Sequence, residues 1–274
     1  MRNKHYGFLI GGIMVAGLVV LILMGSLLAP NDPGKINMAI RLAPGSPDYP
    51  LGTDTYGRCI LSRLILAARY SIGLSVLITD IVAVLTIPIG MAATYRGGIF
   101  DKLFLLTCDI SMALPPTVLV LSIMGVLGNG VTNLVFSSIF SYWGWYGRMV
   151  RSYTKGQMGK EYIVYAKTGG ASFLKIITGH ILPNIAPNLI VLLTLGVGDT
   201  ILMISGFSFL GIGLPSGTPE WGAMLAEAKG QLLSTPRFAV WPGLCVLFTV
   251  CAFNLLGEGL RARLSPYRKG VDYE

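Results

Sequence analysis

The sequence has few charged residues. Asp, Glu, Lys and Arg make up 12% of the 274 residues, whereas a soluble domain averages about 25%. Mean hydropathy is +0.66, and long apolar runs fill most of the chain. These properties exclude an ordinary soluble domain and predict an all-α, polytopic protein of the lipid bilayer. The net charge is +8, which in a soluble protein would suggest a nucleic acid partner. Here the basic residues gather in loops between apolar runs, where membrane topology explains them, so we expect no nucleic acid partner.

Residues that do chemistry are also scarce. The two histidines, His5 and His180, and the four cysteines lack the spacing of a metal site, so we expect neither a metal nor a cofactor. The polar residues are too scattered for the clustered nucleophile and base of a membrane enzyme. The phosphate-binding pattern G-x-x-x-x-G-K followed by Ser or Thr is absent, since "GQMGKE" does not match it. We therefore expect a protein that is not an enzyme and does not bind ATP by that route. Whether Cys59 is reactive stays open.

Six apolar runs are long enough to span a bilayer, which takes about 20 residues each. The first is 23 residues long, longer than the roughly 7–15 residues of a signal-peptide core, so it is interpreted as a retained helix. The third contains Pro115-Pro116, which indicates a kink. The predicted spans cover residues 7–29, 72–95, 103–127, 131–149, 185–204 and 238–256.

Basic residues predict the orientation. Six spans put both termini on one side, and fourteen of the 21 lysines and arginines lie on that side, which the positive-inside rule makes cytoplasmic. We expect a multi-pass protein of a bacterial or archaeal cytoplasmic (inner) membrane. It divides into residues 1–71, a first span with an external segment, and residues 72–274, a core of five spans. The external segments 30–71 and 206–237 are either solvated connectors or contacts for a substrate-delivery protein.

Residues 159–184 form a polar, patterned segment between the fourth and fifth spans. Lys160 to Thr168 has the pattern of a short helix, which Gly169-Gly170 ends. Ser172 is a candidate N-cap of a second short helix, and Pro183 marks the start of the fifth span. Two short helices at an angle would form a rigid cytoplasmic knob; an interfacial amphipathic elbow is the alternative.

This segment resembles the cytoplasmic EAA loop of binding-protein-dependent ABC importer permeases. Its glycine falls on Gly170 and its L-P pair on Leu182-Pro183. The E-A-A positions fall on residues 164–166, where only Ala166 matches, and Glu161 is an alternative carboxylate. In the family this loop docks on the ATP-binding subunit. The coupling residues that the resemblance implies are Glu161, Ala166, Gly170, Ala171, Ser172, His180, Leu182 and Pro183.

Three further segments resemble the peptide/nickel branch of that family. They are "LGTDTYGRCILSRLILAARYSI" at 51–72, with Cys59 where aspartate is usual, "SFLGIGLPSGTPEWGAML" at 208–225, and "WPGLCVLFTVCAFNLLGEGLRARLSP" at 241–266. The resemblance implies the type I ABC importer permease fold of six transmembrane helices. It also implies four kinds of partner: a second homologous permease, two ATP-binding cassette subunits, an extracytoplasmic solute-binding protein and the bilayer.

The resemblance narrows the cargo to a few classes. "YWGWYGRMVRS" at 142–152 is similar to the nickel-type members. The predicted function is therefore a permease subunit that forms half of the pathway for nickel or a nickel–chelator complex, with dipeptides or oligopeptides as the alternative. A stand-alone secondary transporter is less favoured, because no internal repeat is evident.

Carboxylates inside the predicted spans are candidates for the pathway. A charged group at the centre of a membrane helix costs about 2.5–3.5 kcal/mol on insertion scales. Asp199 and Asp80 either line the pathway, where Asp199 would attract a cationic cargo, or bond to a neighbouring helix. Met203 is a third candidate, whose thioether either lines the pathway or packs. Asp109, close to the cytoplasmic end of its span, is predicted to be structural.

Overall fold

A computed structural model describes residues 3–215 and 217–264, and the regular structure in this part of the chain is helical, with longer non-helical segments near residues 29–59 and 210–220. Its strand-like pairing is limited, within these ranges, to one isolated bridge between Thr53 and Cys59. The all-α fold class is therefore confirmed. The helices are α1 (Asn3–Leu28), α2 (Ile60–Arg96), α3 (Gly98–Met112), α4 (Pro116–Leu127), α5 (Val131–Met158), α6 (Glu161–Thr168), α7 (Phe173–Ile176), α8 (Leu182–Phe209), α9 (Trp221–Ala228) and α10 (Arg237–Leu264). The last residues of the final motif, 265–266, lie outside the described residues, as does the C-terminus.

Four continuous helical segments are long and apolar enough to cross a membrane. They are Tyr6–Leu28, Ile60–Arg96, Phe173–Phe209 and Arg237–Leu264. The predicted third span is not one helix: α3 and α4 meet at an angle of 77° and count as a fifth span only if taken together. Pro115 and Pro116 have no N–H groups, so two successive helical hydrogen bonds are lost at this point, which favours a break.

The predicted fourth span lies within α5, which is too polar to be recognised as a span by its hydropathy. It is 28 residues long, about 42 Å, and therefore long enough to cross. It packs against α2, α3 and α4, and these neighbours enclose its polar residues. Ser138 and Ser141 are buried there and donate to the carbonyls of Leu134 and Ser137 on the same helix. A helix enclosed in this way need not be apolar on every side.

Close approach of the backbones joins α1 to α10. A Cβ at Gly11 would overlap the backbone of Leu256, and one at Gly259 would overlap the backbone of Phe8. Small residues permit such packing between membrane helices, where no hydrophobic effect drives association. The other side of α1 is exposed, at Leu23 and Leu27 for example, as expected for a helix in contact with lipid.

A buried network of four charges connects the external segment to the helices. The Asp54 carboxylate accepts from Arg58 Nε at 2.7 Å and from Arg63 Nη1 at 2.6 Å. Glu227 in α9 accepts from the same two guanidinium groups at 2.7 and 2.6 Å. Cys59, between the arginines, is buried. The external segment is thus an ordered structure rather than a loose connector, and residues 60–71 are already part of α2.

Glu220 and Trp221 attach α9 to the two helices beneath it. Glu220 is fully buried and caps α9, accepting from the backbone N–H groups of Gly222 and Ala223 at 2.9 and 2.8 Å. Ser71 of α2 donates to the same carboxylate at 3.2 Å. Trp221 Nε1 donates to the carbonyl of Leu64 at 3.1 Å. The "PEWG" motif therefore closes one end of the bundle.

Replacing Arg63 with methionine is expected to destabilise the protein strongly. The substitution keeps an unbranched apolar stem but leaves Asp54 and Glu227 with one guanidinium partner fewer, and breaking a buried ion pair costs about 3–5 kcal/mol. Denaturant unfolding in detergent micelles measures the change. Arg261→Met is the matched control, because the Arg261–Glu258 pair is largely exposed and should contribute little. Equal stability of the two variants would contradict the importance of the network.

Candidate coupling loop and central cavity

The segment between α5 and α8 folds as a helix, a turn and a second helix, as predicted. Gly170 has φ +75°, and α6 ends in two backbone hydrogen bonds, from Gly170 N–H to the Lys167 carbonyl at 3.1 Å and from Ala171 N–H to the Ala166 carbonyl at 3.0 Å. Glycine adopts this left-handed conformation without the steric cost that other residues incur. Ser172 caps the next helix and accepts from the Lys175 N–H at 3.4 Å.

Pro183 lies at the start of the fifth span, where it was predicted, but the second helix continues into that span without a break. From α7 the chain passes through one π-helical turn, Ile177–Ile181, directly into α8. In that turn the Leu182 N–H donates to the Ile177 carbonyl. Pro183 lies in the first turn of α8, where a missing N–H is tolerated. As a result, Phe173–Phe209 is one continuous apolar segment of 37 residues.

The base of the loop is held firmly against the end of α2. Ile163 and Ile176 are fully buried in the core that α2, α4, α5 and α8 share. The rings of Tyr95 and Phe173 meet edge to face, with their centroids 5.2 Å apart. The Arg96 guanidinium lies 5.1 Å from the Phe173 ring centroid. The aromatic and cation–π contacts hold α7 to the end of α2.

A further contact holds the start of the loop to α5. The Tyr162 hydroxyl donates to Gln157 Oε1 at 2.6 Å. Burial raises the pKa of Tyr162, so its hydroxyl stays protonated and remains a donor. The loop is consequently attached to α2, α5 and α8 at once.

The opposite side of the loop is apolar and exposed. Val164, Tyr165 and Leu174 are 50%, 72% and 66% exposed, and together they are called the loop face below. Among the predicted coupling residues, Glu161, Gly170, Ser172 and Pro183 are exposed, while Ala166, Ala171, His180 and Leu182 are half-buried. Residues 161–172 lie in α6 and the turn, whereas His180, Leu182 and Pro183 lie on the helix that continues from α7. The sequence pointed to Tyr165 in two ways, by its place on the apolar side of the predicted short helix and by its place in the E-A-A pattern.

A central cavity of about 610 Å³ lies among three elements of the bundle. The break between α3 and α4, residues 112–116, forms one wall; α5 contributes Ser141, Tyr142, Trp145 and Tyr146, and α8 contributes Gly196 and Asp199. Asp199 is exposed. In residues 3–215 and 217–264 its carboxylate has neither a hydrogen-bond partner nor an ion-pair partner.

The other pathway candidates lie elsewhere. Asp80 is exposed on α2 but does not line the cavity. Met203 is 9% exposed and packs in the hydrophobic core, so the packing alternative describes its position. Asp109 pairs with Arg148, in agreement with its predicted structural role. A stronger pair that the sequence did not suggest joins Asp101 to Arg151, at 2.6 and 2.7 Å.

From the sequence, the aromatic residues of the cavity wall were noted only for their similarity to the nickel-type members. Tyr142, Trp145 and Tyr146 are three and four residues apart, the spacing that places side chains on one side of a helix. This spacing was the sequence signal from which the aromatic wall could have been predicted. The sequence offered no comparable signal for the charge network, because Glu227 lies 164 residues from Arg63.

A helical, multi-span protein with an exposed loop at one end and a cavity between its helices belongs to the class of membrane transport components. Residues 85–269 match the family described as "Binding-protein-dependent transport system inner membrane component". The chain belongs to this family, which confirms the importer permease resemblance and the multi-pass inner-membrane location. The predicted boundary between residues 1–71 and 72–274 stays a prediction.

Relatives with three different cargo names are similar to the chain over nearly its whole length. It is 36% identical to the nickel transport system permease protein NikC of Escherichia coli (strain K12) over 255 residues, 93% of this chain and 92% of the relative. It is 34% identical to the dipeptide transport system permease protein DppC of Haemophilus influenzae over 273 residues, 97% and 92% of the two chains. It is 35% identical to the glutathione transport system permease protein GsiD of Escherichia coli O6:K15:H31 over 271 residues, 98% and 89%.

Replacing Gly196 with alanine should disturb the cavity wall. A Cβ there would overlap the Tyr146 hydroxyl, and forcing atoms into a packed site costs about 1–3 kcal/mol. Tyr146→Phe in the same chain removes the hydroxyl and should restore part of the loss, because the ring carbon still lies 3.0 Å from the added Cβ. Thermal unfolding measures both variants. Gly206→Ala, on the same helix with nothing within 4 Å, should be neutral or stabilising.

Proposed function

We propose that this protein is the permease subunit of an ATP-driven importer and forms half of the pathway for nickel or a nickel–chelator complex. It pairs with a second homologous permease, two ATP-binding cassette subunits and an extracytoplasmic solute-binding protein. Hydrolysis of ATP belongs to the cassette subunits. Membership of the family supports the assignment as an importer permease. The identities to the nickel, dipeptide and glutathione relatives are nearly equal, so the cargo is decided by experiment.

The observation that carries the proposal is the construction of the coupling loop. Its exposed face is apolar, as expected of a surface that docks on another protein, and its base is attached to α2, α5 and α8. Two of these helices, α5 and α8, line the central cavity. Movement of a docked cassette subunit therefore reaches the cavity through packed elements.

The orientation proposed is the one with the loop face and both termini in the cytoplasm. Arg96, Lys102, Arg148 and Arg151 lie at the same end of the bundle as the loop, around Asp101 and Asp109. Such an excess of basic residues marks cytoplasmic ends. The charge network and α9 then lie on the outer side, within reach of a solute-binding protein.

Dipeptides are the second candidate cargo, and the cavity is the observation that favours them. Its volume of about 610 Å³ exceeds what a bare ion needs. Over the ranges that the structure covers, no three His, Cys, Asp or Glu side chains are grouped to hold a metal. Selection of nickel would then rest with the external binding protein. Of the three pathway candidates, Asp199 alone lines the cavity, and we propose it as the pathway residue in place of Asp80 and Met203.

Tyr165→Ala should weaken docking of the cassette subunit without unfolding the permease. Tyr165 is 72% exposed, so its removal costs little internal packing but takes the largest side chain from the loop face. The amount of cassette subunit that co-purifies with tagged permease should fall at least severalfold. Tyr70→Ala is the matched control: it is also exposed, but lies 25 residues, roughly 38 Å, from Tyr95 along α2. Undiminished co-purification for Tyr165→Ala would exclude the loop face as the docking surface.

Uptake of radioactive nickel, by cells with and without this chain, decides between the cargo candidates. Under the nickel proposal, uptake requires the chain and persists in the presence of excess unlabelled dipeptides. A requirement for a chelator would identify a nickel complex as the cargo. Loss of growth on dipeptides, with unchanged nickel uptake, would replace nickel by peptide as the cargo.

A further inference from the structure

We infer that the central cavity contains half of a binding site for a cationic group of the cargo, formed by Asp199, the rings of Tyr142 and Trp145, and the free carbonyls of the α3–α4 break. The inference rests on the proposed function, since it assigns a chemical class to the group that passes through the same cavity. It holds for either candidate cargo: an ammonium group of a peptide and a metal-bound amine of a chelate share a positive charge and N–H donors.

The charge of the cavity comes from one residue. Asp199 is the one charged residue among those that line it. Neither a donor nor a cation among the described residues satisfies its carboxylate, whereas Asp109 pairs with Arg148 and Asp101 with Arg151. Asp80 also has no partner among the described residues, but it does not line the cavity. An ionisable residue at membrane depth is costly and normally faces a partner or a watery path. Here the partner is missing and the cavity is in front of the carboxylate.

Three rings of α5 form the wall beside that carboxylate. Trp145 and Tyr146 meet edge to face with centroids 5.0 Å apart and planes at 84°. Tyr142 meets Tyr146 in the same way at 6.3 Å and 89°. Tyr146 is itself buried against Gly196, so Tyr142 and Trp145 are the rings available to a ligand. Aromatic faces attract cations, and tryptophan does so most strongly.

The third wall supplies backbone acceptors. In a continuous helix the N–H groups of residues 115 and 116 would bond to the carbonyls of Ser111 and Met112, but both positions are proline. Unwound backbone beside a cavity is where membrane transporters leave carbonyls to coordinate cations. Met112 and residues 113–116 line the cavity, so of these two carbonyls it is that of Met112 whose residue shares the cavity with Asp199.

This set of groups selects a cation that brings its own donors. Carboxylate, carbonyl and ring faces all accept. A nickel ion without ligands would favour imidazole or thiolate, and neither kind of side chain lines the cavity. A protonated or metal-bound amine offers both the charge and the N–H groups that these acceptors require.

Uptake by the assembled importer in cells tests the inference, with two cargoes measured in parallel: nickel bound to an amine chelator, and a radiolabelled dipeptide. For the cargo that the wild type carries, Asp199→Asn should lower the maximal uptake rate at least tenfold, and Asp199→Glu should retain most of it. Trp145→Leu should lower the rate more than Trp145→Phe, which keeps a ring face. Glutamate keeps the negative charge and phenylalanine keeps a ring face, so retained uptake in these two variants would show that charge and ring are required. A merely structural role would not produce this pattern.

Asp80→Asn is the matched control, because Asp80 is also an exposed carboxylate in a membrane helix but does not line the cavity. Its uptake should stay within twofold of wild type. An Asp199→Asn importer that assembles and transports at the wild-type rate overturns the inference and leaves the proposed function intact. A wild-type importer that assembles with cassette subunits but carries neither cargo overturns the proposed function, and the inference with it.

Discussion

Polar groups inside a membrane must find their partners within the protein, and this constraint governs the arrangement of the whole chain. The serines of α5 bond to carbonyls on their own helix, and the charges of the outer end lie within hydrogen-bond distance of one another. Where partners are provided, the structure is closely packed. Partners are missing at Asp199 and at the α3–α4 break, and residues of both line the cavity. We interpret the cavity as a site because these two regions share it.

The two ends of the molecule are fixed by different chemistry. At the outer end, Asp54, Arg58, Arg63 and Glu227 form a buried network, whose loss of one member would leave uncompensated charge. At the loop end, Arg96 and Lys167 lie over aromatic rings, contacts that tolerate small shifts better than buried ion pairs because the rings offer a broad face. Ion pairs are also present at the loop end, Asp101 with Arg151 and Asp109 with Arg148, but they are more exposed than Asp54, Arg58 and Arg63 at the other end.

The sequence predicted the positions of the helices better than their bends, their continuity and the contacts between them. Hydrophobic runs located α1, α2, α8 and α10 because their length and apolarity exceed what a soluble helix shows. The Pro115-Pro116 pair predicted a bend but not its angle, since neighbouring helices decide how far a broken helix turns. The continuity of α7 into α8 was missed because a π turn at Ile177–Ile181 shifts the hydrogen-bond register, which residue preferences do not reveal. Motifs located the loop, yet the cavity required Tyr142, Trp145 and Asp199 to be brought together from separate helices.

A transport site must release what it binds, and the groups of this cavity meet that condition. The cavity offers a cation one carboxylate, two ring faces and a few carbonyls. Each contact contributes a modest binding free energy, because none is a bidentate pair of the kind that holds a ligand firmly. Three imidazole or thiolate ligands around nickel would hold the ion too tightly for passage, since conduction requires binding that is weak enough to allow exit. Under the proposed function, a second permease would complete the half-site that this cavity contains. A site split between two subunits can assemble and come apart as they move, and the cargo then leaves when the halves separate.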